Sequence, residues 1–240
     1  MSKVIVEIEH NGVARVTLNN PEKQNAFNDA IIRDLTNAFD GIACNPDVRL
    51  MILNSIGKNF SAGADLAWMK KMSLYSHEKN LSDAKVLSEM FKSLHEMPQP
   101  TIVRIQGAAM GGALGLISCC DIALAQAGSS FALSEVKLGL IPAMISPYVV
   151  PAIGPRAARR YFVTGERFSA HKAKELGLVS EVLDKEELDC CLENMVAALL
   201  ANSPQATKKA KALFSLVESR ALDRDLIEET CELIADIRVS

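Results

Sequence analysis

Two short stretches hold the residues best placed to do chemistry: Phe60-Ser61-Ala62-Gly63-Ala64-Asp65-Leu66 and Gly107-Ala108-Ala109-Met110-Gly111-Gly112-Ala113. Each follows a run that reads as a strand, residues 49–55 and 101–106, and each precedes a segment able to open a helix. Small side chains let a ligand approach the main chain, and a helix start offers unpaired N–H groups at the positive end of its dipole. Two such turns aimed at one oxygen would stabilise a developing oxyanion, which is chemistry at a carbonyl. Taken singly, each motif also fits an ordinary tight turn.

A carbonyl site needs a group that moves protons. Phe131-Ala132-Leu133-Ser134-Glu135-Val136 sets one carboxylate, Glu135, among apolar neighbours. Desolvation there would raise its pKa into the range useful for acid–base work, whereas a solvated glutamate on an edge strand is the commoner reading of such spacing. Asp65 reads first as a cap for a helix beginning near Leu66, and only second as a catalytic group. Ser61 and Ser118 lack a G-x-S-x-G setting, so a serine nucleophile has no support. The glycine run 107–115 contains neither G-x-G-x-x-G nor a phosphate-loop lysine. Trp68, Met69 and Met72 fit a core or an apolar pocket. His10, His77, His95 and His171 show no metal-ligand spacing, and no metal is expected.

The elements that must position these groups alternate. Residues 4–9 and 14–18 read as a hairpin, and 28–43 as an amphipathic helix capped by Asn28. Residues 82–96 read as a helix stopped by Pro98 and Pro100. Then come a strand at 101–106, a helix at 113–120 and a strand at 121–125. Such alternation predicts an α/β core. Beyond about Lys185 the pattern is helical only. A last amphipathic helix over 222–237 is expected to pack on something, a partner subunit included.

Bulk properties narrow the classes. With 240 residues, 49% hydrophobic and 23% charged, the chain can bury one substantial core. A net charge of −3 and the lack of a basic stripe argue against nucleic acid or an anionic membrane as partner. The apolar stretch 105–120 contains Gln106 and four glycines and is too short to span a bilayer. Six cysteines without a C-x-x-C motif fit reduced thiols, and a cytoplasmic location is expected.

In order and in register, the motifs resemble the enoyl-CoA hydratase/isomerase (crotonase) superfamily over nearly the whole chain. Asn20-Pro21-Glu22-Lys23-Gln24-Asn25-Ala26-Phe27 is similar to its N-terminal signature, and residues 60–66 and 106–112 to its two oxyanion segments. Glu135 with Gly139, Ile141 and Pro142 resembles the segment bearing the family's catalytic glutamate. Thr164-Gly165-Glu166-Arg167 and residues 173–182 resemble its late signatures. The resemblance implies an α/β spiral of ββα repeats over residues 1–185 carrying an acyl-CoA site. A helical region over 186–240 would build homotrimers, often paired as dimers of trimers. The thioester oxygen would be held by the Ala64 and Gly112 N–H groups, with Glu135 as acid and base. Coenzyme A would run along Lys23, Gln24, Ala26, Ala62, Asp65 and Leu66, with Gly111, Gly115 and Trp68 completing the substrate site. No cofactor beyond the substrate's own coenzyme A is implied.

One departure bears on the reaction. Relatives that use two glutamates carry the first in G-G-G-x-E, and the aligned run here is Gly111-Gly112-Ala113-Leu114-Gly115. Glu135 alone remains. A lone glutamate suits a Δ3,Δ2-enoyl-CoA isomerase, and also a hydratase in which Glu135 activates the water that supplies both hydroxyl and α-proton. Residues 111–120 (GGALGLISCC) and 134–150 (SEVKLGLIPAMISPYVV) resemble a branch of methylglutaconyl-CoA and branched-chain enoyl-CoA hydratases, of leucine and acyclic terpenoid breakdown, that also shows the glycine. Hydration is therefore the leading expectation and isomerisation the alternative. A substrate carboxylate would need a donor, for which Ser146 and Tyr148 are candidates.

Overall fold

In the computed structural model, which describes residues 2–218 and 220–239, strand and helix alternate as the α/β reading expects. β1 (Val4–Ile8) and β2 (Val13–Leu18) form an antiparallel hairpin. α1 (Asp29–Ala43) is capped by Asn28, whose side chain accepts from the Ile31 N–H at 3.0 Å, and it buries Ile31, Ile32, Leu35, Phe39 and Ile42. β3 (Leu50–Ser55) leads to the short α2 (Leu66–Met72) and to α3 (His77–His95). α3 begins before the expected residue 82, because Ser76 caps it by accepting from the Lys79 N–H. β4 (Thr101–Ile105), β5 (Ala108–Met110), α4 (Gly112–Cys119), β6 (Ile122–Gln126) and β7 (Ser130–Ala132) follow. After a 3-10 turn over Glu135–Leu138 come α5 (Ser146–Thr164), β8 (Phe168–Ser169), α6 (Ala170–Glu175) and β9 (Glu181–Leu183). α7 (Lys185–Ala201), α8 (Pro204–Glu218) and α9 (Arg224–Arg238) close the chain. α5 breaks at Gly154, where φ is +76°, between Pro151 and Pro155.

Successive units feed two sheets. The larger has the order β1-β2-β3-β4-β6-β9 and is parallel from β2 onward, and the smaller has the order β5-β7-β8. β4 enters the large sheet and β5 the small one before α4, and β6 and β7 repeat the step. The parallel strands are buried on both faces, which explains their continuous apolar runs. Along β3, Met51 and Leu53 face the main core with Phe39, Phe91 and Phe131, whereas Leu50 and Ile52 face the other way. That second face is covered by Leu188, Leu192 and Val196 of α7. α8 buries no residue and α9 only Leu226. α8 is nonetheless tied to the body through Lys211, whose ammonium donates to Asp121 at 2.7 Å and to the Gln99 carbonyl at 3.0 Å. Among the described residues no helix is long and apolar enough to cross a membrane.

Candidate active site

The two small-residue turns meet. Ser61 N–H donates to the Ala108 carbonyl at 3.1 Å and Met110 N–H to the Ser61 carbonyl at 3.0 Å, so the strand exits lie side by side. Gly63 has φ +82°, and a Cβ there would fall 2.6 Å from the Met110 carbonyl oxygen. Only glycine permits both that conformation and that approach. Phe27 brackets the next residue: its N–H donates to the Gly63 carbonyl and its carbonyl accepts from the Asp65 N–H, both at 2.7 Å. Ala64 between them therefore turns its own N–H to the opposite side, as alternate residues of a paired strand do. Gly112 opens α4, where the first N–H groups have no intrahelical acceptor. Among the described residues neither the Ala64 nor the Gly112 N–H has an acceptor, and both line one cleft of about 620 Å³.

Glu135 lines the same cleft. Gly111, at φ +53°, turns its missing side chain toward the carboxylate, and a Cβ there would lie 3.1 Å from Glu135 Oε1. Glu135 begins the 3-10 turn rather than sitting on an edge strand, and the turn closes with the Leu140 N–H donating to the Glu135 carbonyl at 3.0 Å. Its Oε2 is buried without a hydrogen-bond partner. Burial pushes the carboxyl pKa up from its ordinary 4.5, opposed only by its own backbone N–H. An acceptor left unpartnered in such a place is costly unless a proton, a water or a substrate meets it.

The other expected residues divide. Lys23, Gln24, Ala26, Ala62, Asp65, Leu66 and Gly111 line the cleft. Asp65 also caps α2, accepting from the Ala67 and Trp68 N–H groups at 2.8 and 3.0 Å, and takes the Lys23 ammonium at 2.9 Å. That ion pair and those N–H groups hold its pKa below the ordinary value.

Two expected members stand outside. Trp68 lines a separate hollow of about 210 Å³ with Arg33, Tyr75 and Lys79, because the turn of α2 carries its indole toward α1 and α3. Gly115 is buried, and a Cβ on it would meet Ile145 Cγ2 at 2.4 Å and Phe91 Cε1 at 2.7 Å. The position at which the resemblance would set a first glutamate is thus closed by hydrocarbon. Ser146 and Tyr148 do not line the cleft either. The Ser146 hydroxyl donates to the Ala143 carbonyl at 2.8 Å, and Tyr148 packs on Phe91 and His95.

Met69, read from the sequence as core or apolar pocket, and Met110 of the second small-residue turn also line the cleft, and residues given no place in the site, Lys137, Leu138, Leu140 and Arg167, complete the walls. The register Phe131↔Phe168 places Arg167 opposite Ala132, which itself pairs with Met110. The strands concerned are two or three residues long, too short for alternation to show in a sequence. Among the described residues neither Lys137 nor Arg167 forms an ion pair within 4.0 Å; Glu166 is held by Arg160 and feels Lys137 only through space. No cluster of three or more metal-ligating side chains occurs among the described residues.

Known proteins resemble this chain in sequence and in fold. Residues 8–232 match the family model described as enoyl-CoA hydratase/isomerase. A solved enoyl-CoA hydratase from Shewanella pealeana superposes with a TM-score of 0.95 at 46% identity, covering 100% of this chain and 89% of that one. A putative enoyl-CoA hydratase from Thermus thermophilus is 30% identical over 91% of this chain and 87% of its own. A trans-2-decenoyl-[acyl-carrier-protein] isomerase from Streptococcus mutans is also 30% identical, over 85% of this chain and 78% of its own. With that family match over residues 8–232, on a chain whose cleft holds two N–H groups without acceptors and one buried carboxylate, the chain belongs to the enoyl-CoA hydratase/isomerase family.

Proposed function

We propose that the protein hydrates an enoyl-CoA, with Glu135 as its single acid–base group. What carries this reading is the buried, unpartnered Oε2 of Glu135 beside two N–H groups without acceptors. In this reading the thioester oxygen accepts from Ala64 and Gly112, which draws electrons from the double bond. Glu135 takes a proton from a water as its oxygen bonds the β-carbon, and the electron pair moves to the thioester oxygen as an enolate. The protonated Glu135 then returns the proton to the α-carbon, so one water is consumed and the carboxylate is restored. Each oxyanion donor is worth on the order of 10²–10³ in rate. Coenzyme A arrives as part of the substrate, and its long arm lies along Lys23, Gln24, Ala26, Ala62 and Leu66. No further cofactor takes part.

A second reading rests on Gly115. With Ile145 and Phe91 closing that position, one carboxylate must lift and return every proton, as a double-bond isomerase requires.

The acyl group we assign is branched and acidic, as in 3-methylglutaconyl-CoA. Lys137 and Arg167, two cations in the cleft wall outside any close ion pair, support it in place of Ser146 and Tyr148. We also propose that subunits associate as trimers through α8 and α9. Of the region 186–240, α7 is packed on the body, whereas Phe214 (65% exposed), Val217, Ile227 and Ile234 lie open. The site of action we assign is the cytoplasm.

Mass spectrometry in ¹⁸O-labelled water tests the reaction with 3-methylglutaconyl-CoA, crotonyl-CoA and a 3-enoyl-CoA. Hydration predicts a product heavier by one labelled water that Glu135→Gln fails to form. An unchanged mass with a moved double bond assigns isomerisation instead. Arg167→Ala with Lys137→Met is expected to raise KM for the acidic substrate while leaving that for crotonyl-CoA in place; equal effects on both would remove the acidic acyl group.

A further inference from the structure

Asp65 stands one residue from the Ala64 donor and does two things at once. Its carboxylate closes the turn by accepting from the Ala67 and Trp68 N–H groups, and its own N–H donates to Phe27, completing the bracket around Ala64. Its side chain is only 10% exposed, so its negative charge is poorly screened by water. A fixed anion in the same cleft wall, one residue from the proposed Ala64 donor, opposes the charge development that the N–H groups would stabilise. Lys23, 58% exposed and on the facing loop, donates to Asp65 Oδ2 at 2.9 Å. The two loops are otherwise joined by uncharged bonds, Ala62 N–H to the Gln24 carbonyl at 2.9 Å and the Ser61 hydroxyl to the Asn25 carbonyl at 2.8 Å.

We infer that Lys23 and Asp65 act together as a positioning pair: Asp65 fixes the Ala64 donor, and Lys23 cancels the charge that this fixing would otherwise set beside the enolate. The inference rests on the proposed use of Ala64 as an oxyanion donor. It assigns Lys23 a role in turnover distinct from holding coenzyme A. It also predicts an unusual sign, since removing the cation should harm catalysis chiefly while the anion remains.

The probe is 4-(dimethylamino)cinnamoyl-CoA, a chromophoric thioester whose absorption moves to longer wavelength when its carbonyl is polarised. It is bound at saturation, alongside kcat and KM with the turned-over substrate and thermal melts of each variant. Lys23→Met is expected to shrink the red shift and to lower kcat roughly tenfold, the scale of one unit charge at a high effective dielectric. Lys23→Met with Asp65→Asn is expected to recover most of both, because asparagine still accepts from Ala67 and Trp68 but carries no charge. Asp65→Ala, which loses the cap, should drop kcat by about 10², the scale of one lost donor. If the double variant is no better than Lys23→Met, or if Lys23→Met changes KM alone, the pairing is overturned while the oxyanion reading stands. If the wild-type protein itself gives no red shift, the oxyanion reading fails and the inference with it.

Discussion

Two glycines one helical turn apart face opposite worlds. Gly111 turns its empty side toward a carboxylate oxygen of Glu135, and Gly115 turns its own into the methyl of Ile145 and the ring of Phe91. At the first, the missing side chain leaves room for a polar group at the cleft. At the second, it leaves room for hydrocarbon that seals the main core. The same residue type, at the N-cap of α4 and again inside it, separates a cleft wall from a packed interior. A glycine is thus read by what fills the space it vacates. On the proposed reading, that difference leaves Glu135 as the one acid–base group.

The comparison is most sharply tested at Glu135. Glu135→Gln is expected to cut turnover by roughly 10²–10⁴, the range for a lost acid–base group, with the fold intact by circular dichroism. Activity within a few-fold of wild type would leave the Gly111 side without its chemistry.

The sealed side is tested by Gly115→Glu. The new side chain has to displace Ile145 and Phe91 and bury a carboxylate, so urea titration should show a loss of about 3 kcal/mol or more. A stable variant with raised hydration rate would show that the seal is soft. Gly111→Ala is a smaller change. It asks for a positive φ and brings a methyl to 3.1 Å from Glu135 Oε1. A stability loss of about 1–2 kcal/mol is expected, together with a fall in kcat at nearly constant KM.

The smallest effect concerns pH. Burial raises the folded-state pKa of Glu135 above 4.5, so the acid form is favoured in the folded protein. Its contribution to stability is fully present below the unfolded-state pKa and is lost as pH rises through the folded-state value. Glu135→Gln should therefore gain thermal stability over wild type as pH rises from acid to neutral, a gain absent if the carboxylate is solvated. As a base it must be ionised, so the acidic limb of the kcat/KM profile should lie above 4.5.

Much of this was legible in the chain. Asn28 as a cap, the 3.6-residue recurrence of Ile31, Ile32, Leu35, Phe39 and Ile42, and the apolar strands around Met51 and Val103 are local signals with local causes. So is the glycine at position 63, which the backbone needs at φ +82°. What was hidden is non-local. Arg167 reaches the cleft because β7 and β8 pair across two residues, and Lys137 because it sits on the same 3-10 turn as Glu135. Trp68 follows Asp65 and Leu66 of the cleft wall by three and two residues, yet the turn of α2 carries it to a different hollow.

The sequence by itself determined the family, the α/β alternation and the residues able to offer two N–H groups and a carboxylate, because propensity, capping and backbone freedom act over a few neighbouring residues. Only the tertiary structure decided which of those groups share one cleft, that Gly115 is closed by Ile145 and Phe91, and that Asp65 is balanced by Lys23. Those outcomes depend on packing and charge between segments far apart in the chain. Such interactions are set by the distances the fold imposes, and no local pattern records them.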